Sequence, residues 1–97
     1  MKITLLPQLR SDRYTLERLG DALVIDGETF DFAPLAEGET LPIEAIGSPW
    51  FGGAGVTRVA GEIEVALVLP HGWNASEAVR FPEPIIDPPD GPITVPA

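Results

Sequence analysis

The one histidine of the chain, His71, stands in the stretch LVLPHGWNASEAVRFPEP, residues 67–84. Imidazole is the side chain best suited to moving a proton near neutral pH. As a general base it needs a nucleophile within hydrogen-bond reach and a carboxylate to orient it. The nucleophiles on offer are Ser11, Ser48 and Ser76, and none stands in the G-x-S-x-G frame of a nucleophile elbow. As a zinc ligand His71 has no second histidine and no cysteine to join it. A site would then rest on one imidazole and carboxylates, which is unusual for zinc. The sequence therefore predicts no catalytic residue and no metal ligand. His71 reads as a residue that ends a strand and hydrogen-bonds loop backbone.

Three other patterns resemble chemical motifs and fall short of them. GGAGV, residues 52–56, is glycine-rich but lacks the G-K-[ST] ending of a phosphate loop and the strand–turn–helix order of a dinucleotide fingerprint. DPPDG, Asp87 to Gly91, has two carboxylates without the spacing of a calcium loop. Glu62 and Glu64 share one face of a strand-like run, where paired carboxylates do acid–base work on sugars, but a solvated face beside a turn is the ordinary reading. No cofactor is expected. The aromatic residues leave two alternatives: Trp50, Phe51 and Trp73 fill the core, or they form a partner surface together with Phe81, Pro84 and Ile86 of the proline-rich tail. These six residues are the candidate interaction surface.

Composition narrows the function classes. A chain of 97 residues with a 44 % hydrophobic fraction makes one globular domain, able to bury roughly 60–70% of its unfolded surface. Without cysteine there is no disulfide, thiolate metal site, Fe–S cluster or cysteine nucleophile. MKITLLPQLRSDRY lacks the apolar run and small-residue cleavage site of a signal peptide. No stretch reaches the roughly 18 apolar residues of a membrane helix, so a soluble protein without a leader is expected. Asn74-Ala75-Ser76 fits a glycosylation acceptor, which matters only in a secreted eukaryotic chain. The net charge is −9 and uneven. Residues 1–18 hold four cations against two acids. Beyond them only Arg58 and Arg80 face the remaining acids, 15 less two. Such a surface repels phosphates, so no nucleic-acid or membrane partner is expected. It suits solubility, or a face that mimics nucleic acid and inhibits a basic partner.

Strands must position these residues. KITLL reads as a short first strand ending before Pro7. YTLERL and ALVI flank Gly20-Asp21, a type II′ signal, and Asp26-Gly27 gives a type I′ signal before ETFDF. Residues 13–32 are thus an antiparallel meander with Phe30 and Phe32 on one face. The Gly- and Pro-rich middle has no period of two, yet it holds too many apolar residues to hang in solvent, so it packs over the sheet. PIEAIG suits one helical turn stopped by Gly47. The hairpin 56–69 turns at Gly61. Its second strand puts Ile63, Val65, Leu67 and Leu69 on one face, and its other face passes from Glu62 and Glu64 to Ala66 and Val68. Pro70-His71-Gly72 is expected to end it. SEAVR suits a helical turn capped by Asn74 or Ser76. The predicted fold is mostly β: a small antiparallel sheet of two hairpin units, 13–32 and 56–69, a packed central loop, and a domain of residues 1–81. An extended tail, 82–97, packs on that domain or on a neighbouring subunit.

GETFDFAPLAEGETLP, AIGSPWF, LVLPHG and VRFPEPI together resemble a group of small uncharacterised proteins that tailed phages and prophages encode near tail genes. The likeness spans about residues 14–96 and lies in turns, prolines and aromatic positions. It implies a non-enzymatic tail-associated protein that self-associates into an oligomer or docks to a tail protein. Such a protein is made in the host cytoplasm and joins the virion.

Overall fold

Turn chemistry builds the smaller of two sheets. In the computed structural model, which describes residues 1–95, β2 (Leu16–Leu19), β3 (Ala22–Ile25) and β4 (Glu28–Asp31) form the antiparallel meander, with Leu16 opposite Ile25 and Ala22 opposite Asp31. Gly20 has φ +61° and Asp21 is not in the positive region, as a type II′ turn requires. Asp26 and Gly27 have φ +51° and +82°, a type I′ turn whose twist matches the strands. The Asp26 carboxylate accepts from the Thr15 N–H at 2.9 Å and fixes the entry to β2. Leu16, Leu23 and Ile25 are buried on the inner face.

The larger sheet is built on β7 (Glu62–His71) and runs β5-β6-β7-β1-β8. The expected hairpin joins β6 (Val56–Val59) to β7, and β5 (Thr40–Leu41) adds to its outer side. All four residues of the apolar β7 face are buried, and on the other face Val68 is buried where Glu62 is exposed. The longest pairing is parallel: β1 (Lys2–Leu9) lies along β7 from Lys2 opposite Glu64 to Leu9 opposite His71. The first strand therefore runs through Pro7, and β7 continues past Leu69 to His71. The reason lies in the neighbours. On the far side of β1, β8 (Ile85–Ile86) covers only Lys2 and Ile3, so Pro7 interrupts no second ladder. On the far side of β7, pairing with β6 reaches no further than Glu64, and the loop bonds stop at Val68, so Pro70 has β1 alone beside it. Proline is tolerated on such one-sided stretches.

The two sheets close on one core. Ile3, Leu23, Val56, Ile63, Leu67, Leu69 and Val79 are fully buried. Phe51 joins the layers, its ring 5.0 Å from that of Phe30 and 6.0 Å from that of Phe32, both edge-on. The central loop packs as expected, with α1 (Ile43–Ile46) ended by Gly47 in the left-handed conformation at φ +72°. Gly55, at φ +126°, lets the chain pass against the Leu41 carbonyl, where a Cβ would collide. α2 (Glu77–Arg80) contributes Val79 to the core, and Ser76 at its start makes no side-chain cap.

The proline-rich segment lies on its own chain. β8 pairs with β1, and β9 (Gly91–Pro92) pairs with β2, so the segment adds a short strand to each sheet. Ile93 N–H donates to the Leu16 carbonyl at 2.8 Å. Arg18 fastens the crossing by donating to Asp87 Oδ1 at 2.9 Å and to the Pro88 carbonyl at 2.6 Å. Asp90 accepts from the Gly20 N–H at 3.0 Å. Arg18 and the N-terminal amine hold the Asp87 carboxyl below its usual range. The carboxylates of DPPDG thus serve a clasp. Residues 96 and 97, the last of the predicted tail, lie outside the described residues.

Candidate functional site at the end of the central strands

β1 and β7 end side by side, and the Arg10 N–H donates to the His71 carbonyl at 3.1 Å, closing the ladder. The chain then loops through residues 72–76 into α2. The loop, the end of β7 and the segment before β2 enclose a cavity of about 420 Å³. Its polar lining is Arg13, Tyr14, His71, Asn74 and Ser76, and Pro70, Ala75, Val79 and Val95 add an apolar wall. Among the described residues no acidic side chain lines it, in a chain with 15 acidic residues.

Tyr14 anchors one side. Its hydroxyl donates to the Val68 carbonyl at 2.7 Å, and burial pushes its pKa up to about 12. Its ring packs 4.6 Å from that of Trp50, and the Arg10 guanidinium lies 4.4 Å above the indole. Arg10 in turn forks onto Asp12 at 2.8 and 2.6 Å, which raises the arginine pKa and lowers that of the carboxyl. Arg13 is held differently. Its Nη1 donates to the Arg10 and Asp12 carbonyls at 3.0 and 2.9 Å, while Nε and Nη2 meet no acceptor among the described residues. The Asn74 and Ser76 side chains also have no hydrogen bond there.

His71 bonds loop backbone: its Nδ1 lies 2.7 Å from the Gly72 carbonyl. A carbonyl only accepts, so Nδ1 carries the proton, and in neutral imidazole Nε2 is then an acceptor. Ser76 lines the same cavity, but no hydrogen bond joins its hydroxyl to His71. Ser11 lines a neighbouring shallow hollow with His71, but no hydrogen bond joins the two, and Ser48 accepts from the Trp50 N–H at 3.3 Å. Glu62 accepts from the N-terminal amine at 2.9 Å. Among the described residues no group of three or more His, Asp or Glu is placed to hold a metal ion.

The six candidate interaction residues divide among several places. Phe51 is 6 % exposed and belongs to the core, and Trp50 is half-buried between Tyr14 and Arg10, so neither offers a docking surface. The aromatic pair is needed to join the two sheets, a demand that sequence spacing does not express. Trp73 is 88 % exposed. Phe81, Pro84 and Ile86 are also exposed. Ile86 sits opposite Lys2, at the far end of β1 from Leu9, about 23 Å away at 3.3 Å per residue. Phe81 lines a separate hollow with Glu77, Ala78 and Glu83. Leu9, absent from the sequence reading of the site, is exposed and shares a shallow hollow with Trp73 and His71. Its signal was its place at the end of an apolar strand whose length Pro7 disguised. Arg13 and Asn74 were missed as well, although the excess of cations in residues 1–18 pointed to that segment.

No family model matches the chain, and neither a curated protein nor a solved structure matches it. Among the described residues no helix is long and apolar enough to cross a membrane.

Proposed function

We propose that this chain is a non-enzymatic interaction module of the phage tail-cluster kind it resembles, and that it docks through the end where β1 and β7 stop. The observation that carries the reading is Trp73. Its indole is 88 % exposed, while the core of both sheets closes without it. A solvent-facing tryptophan beside an exposed leucine is the composition of an interface centre. The net charge of −9 keeps the unbound protein apart from its copies until a shaped partner arrives. The partner is a tail protein or a second copy of this chain. Size-exclusion chromatography with light scattering, at micromolar concentration and with the products of adjacent genes, tests this. The wild type is expected to form a complex, and the Trp73→Ala, Leu9→Ser double variant to lose it by about 30-fold or more in affinity. A strict monomer that binds none of its genomic neighbours would sink the reading.

A further inference from the structure

The cavity at the strand ends is chemically unlike the rest of the surface, and its unused groups have a consistent sense. Three donors face no acceptor within the described chain: the Arg13 guanidinium through Nε and Nη2, the Asn74 amide and the Ser76 hydroxyl. Arg13 is held at Nη1 by two backbone carbonyls, so its free edge is positioned rather than swinging. Arg10, Arg18 and Arg58 each face a carboxylate of this chain. Arg13 and Arg80 make no ion pair among the described residues, and of these two only Arg13 lines the cavity. His71 lines the same cavity, and in the neutral tautomer that donates Nδ1–H to the Gly72 carbonyl its Nε2 is an acceptor. Pro70, Val79 and Val95 supply an apolar wall.

We propose that this cavity binds a carboxylate carried next to an amide N–H and a small aliphatic side chain, the chemistry of the last residue of a peptide or of an N-acyl amino acid. The planar carboxylate suits the fork of Arg13 and the donors of Asn74 and Ser76. The neighbouring N–H suits His71 Nε2, and the aliphatic side chain suits the wall. A dianionic phosphate fits poorly, because a single fixed cation would hold it inside a molecule of net charge −9. The volume of about 420 Å³ takes one or two residues. The inference stands independently of docking through Trp73.

The test is titration of the ¹⁵N-labelled protein with N-acetylvaline, with its N-methylamide, with a tetrapeptide ending in valine, and with inorganic phosphate. N-acetylvaline is expected to shift the amides of residues 13, 71, 72, 74 and 76 at saturable concentration, and the uncharged N-methylamide to bind at least tenfold more weakly. Arg13→Gln, with its spectral dispersion retained, is expected to weaken N-acetylvaline about tenfold or more. Asn74→Ala, which breaks no bond within the described chain, is a second variant expected to weaken it by a smaller factor. Tighter binding of the tetrapeptide assigns the site to a partner's C-terminus, and equal binding assigns it to a free N-acyl acid. Equal affinity for acid and amide, shifts unchanged in both variants, or tighter binding of phosphate each overturns the proposal.

Discussion

Arg58 and Arg13 stand at two regions that treat the same chemistry in opposite ways. Arg58 is 14 % exposed at its side chain and donates four hydrogen bonds. They go to the Leu35 carbonyl at 2.5 Å, the Gly61 carbonyl at 3.2 Å, the Phe32 carbonyl at 3.2 Å and the Asp21 carboxylate at 3.0 Å. It thereby ties the first hairpin, the central loop and the second hairpin turn to one point. Glu37 completes the seal, its two oxygens accepting from the Ala60 and Gly61 N–H groups at 2.8 and 2.7 Å. At the other region Arg13 lines a cavity, spends one nitrogen on its own backbone and leaves two without an acceptor among the described residues. A small domain has few polar groups to hold its shape. Those that close on themselves hold the fold, and those left open are available to something outside it.

That contrast fails most visibly if Arg58 proves dispensable. Arg58→Met removes the guanidinium from the Leu35 and Gly61 carbonyls and the Asp21 carboxylate, and leaves the Phe32 carbonyl with the Leu35 N–H alone. A partly buried network stripped of its charge costs about 2–4 kcal/mol. The urea midpoint is expected to fall accordingly, while Arg13→Gln, on an exposed side chain, changes stability by less than about 0.5 kcal/mol. Similar losses in the two variants would remove the distinction between a sealed and an open region.

An effect of intermediate size is expected at the border of the cavity. Tyr14 is the one tyrosine of the chain, so its ionisation is read without interference from absorbance at alkaline pH. Burial pushes its pKa up to about 12, from about 10 in the unfolded chain. The folded state therefore binds the proton more tightly. The associated stability is fully present below about pH 10 and is lost as pH rises through about 12. The ring is only part-buried, so solvent screening reduces the effect to on the order of 1 kcal/mol. Tyr14→Phe keeps the contact with Trp50, removes the bond to the Val68 carbonyl and should abolish this alkaline loss. A tyrosine midpoint near 10 in the folded protein would show that the hydroxyl is open to water.

The sheet architecture was legible to differing depths. The Gly20-Asp21 and Asp26-Gly27 turns appear as expected because glycine and aspartate tolerate the φ values that type II′ and I′ turns impose. The hairpin turn at Gly61 was also legible, although its first residue, Ala60, adopts φ +51° with no intrinsic preference for it. The Glu37 carboxylate supplies what alanine lacks, and a contact 23 residues away leaves no local signal. The parallel pairing of β1 and β7 was illegible for a related reason. Proline reads as a strand end when only the local chain is considered, and its tolerance at Pro7 and Pro70 depends on which side of the strand a neighbour occupies. The cavity went unread because its polar wall joins residues 13–14 to residues 71–76 across that same parallel register.

The smallest effect on the fold belongs to Trp73, and its smallness is what the comparison requires. A side chain 88 % exposed contributes little to stability, so Trp73→Ala is expected to shift the unfolding free energy by less than about 0.5 kcal/mol. Acrylamide quenching sharpens the point, since the chain has two tryptophans. Trp50 is half-buried between Tyr14 and the Arg10 guanidinium. The emission that survives Trp73→Ala should therefore be quenched less steeply than that of the wild type, and the easily quenched fraction should disappear with the mutation. If instead Trp73→Ala destabilises the domain by about 2 kcal/mol or more, the indole is a structural anchor in solution. The open region would then be closed by the molecule itself, and the difference between Arg58 and Arg13 would be one of degree.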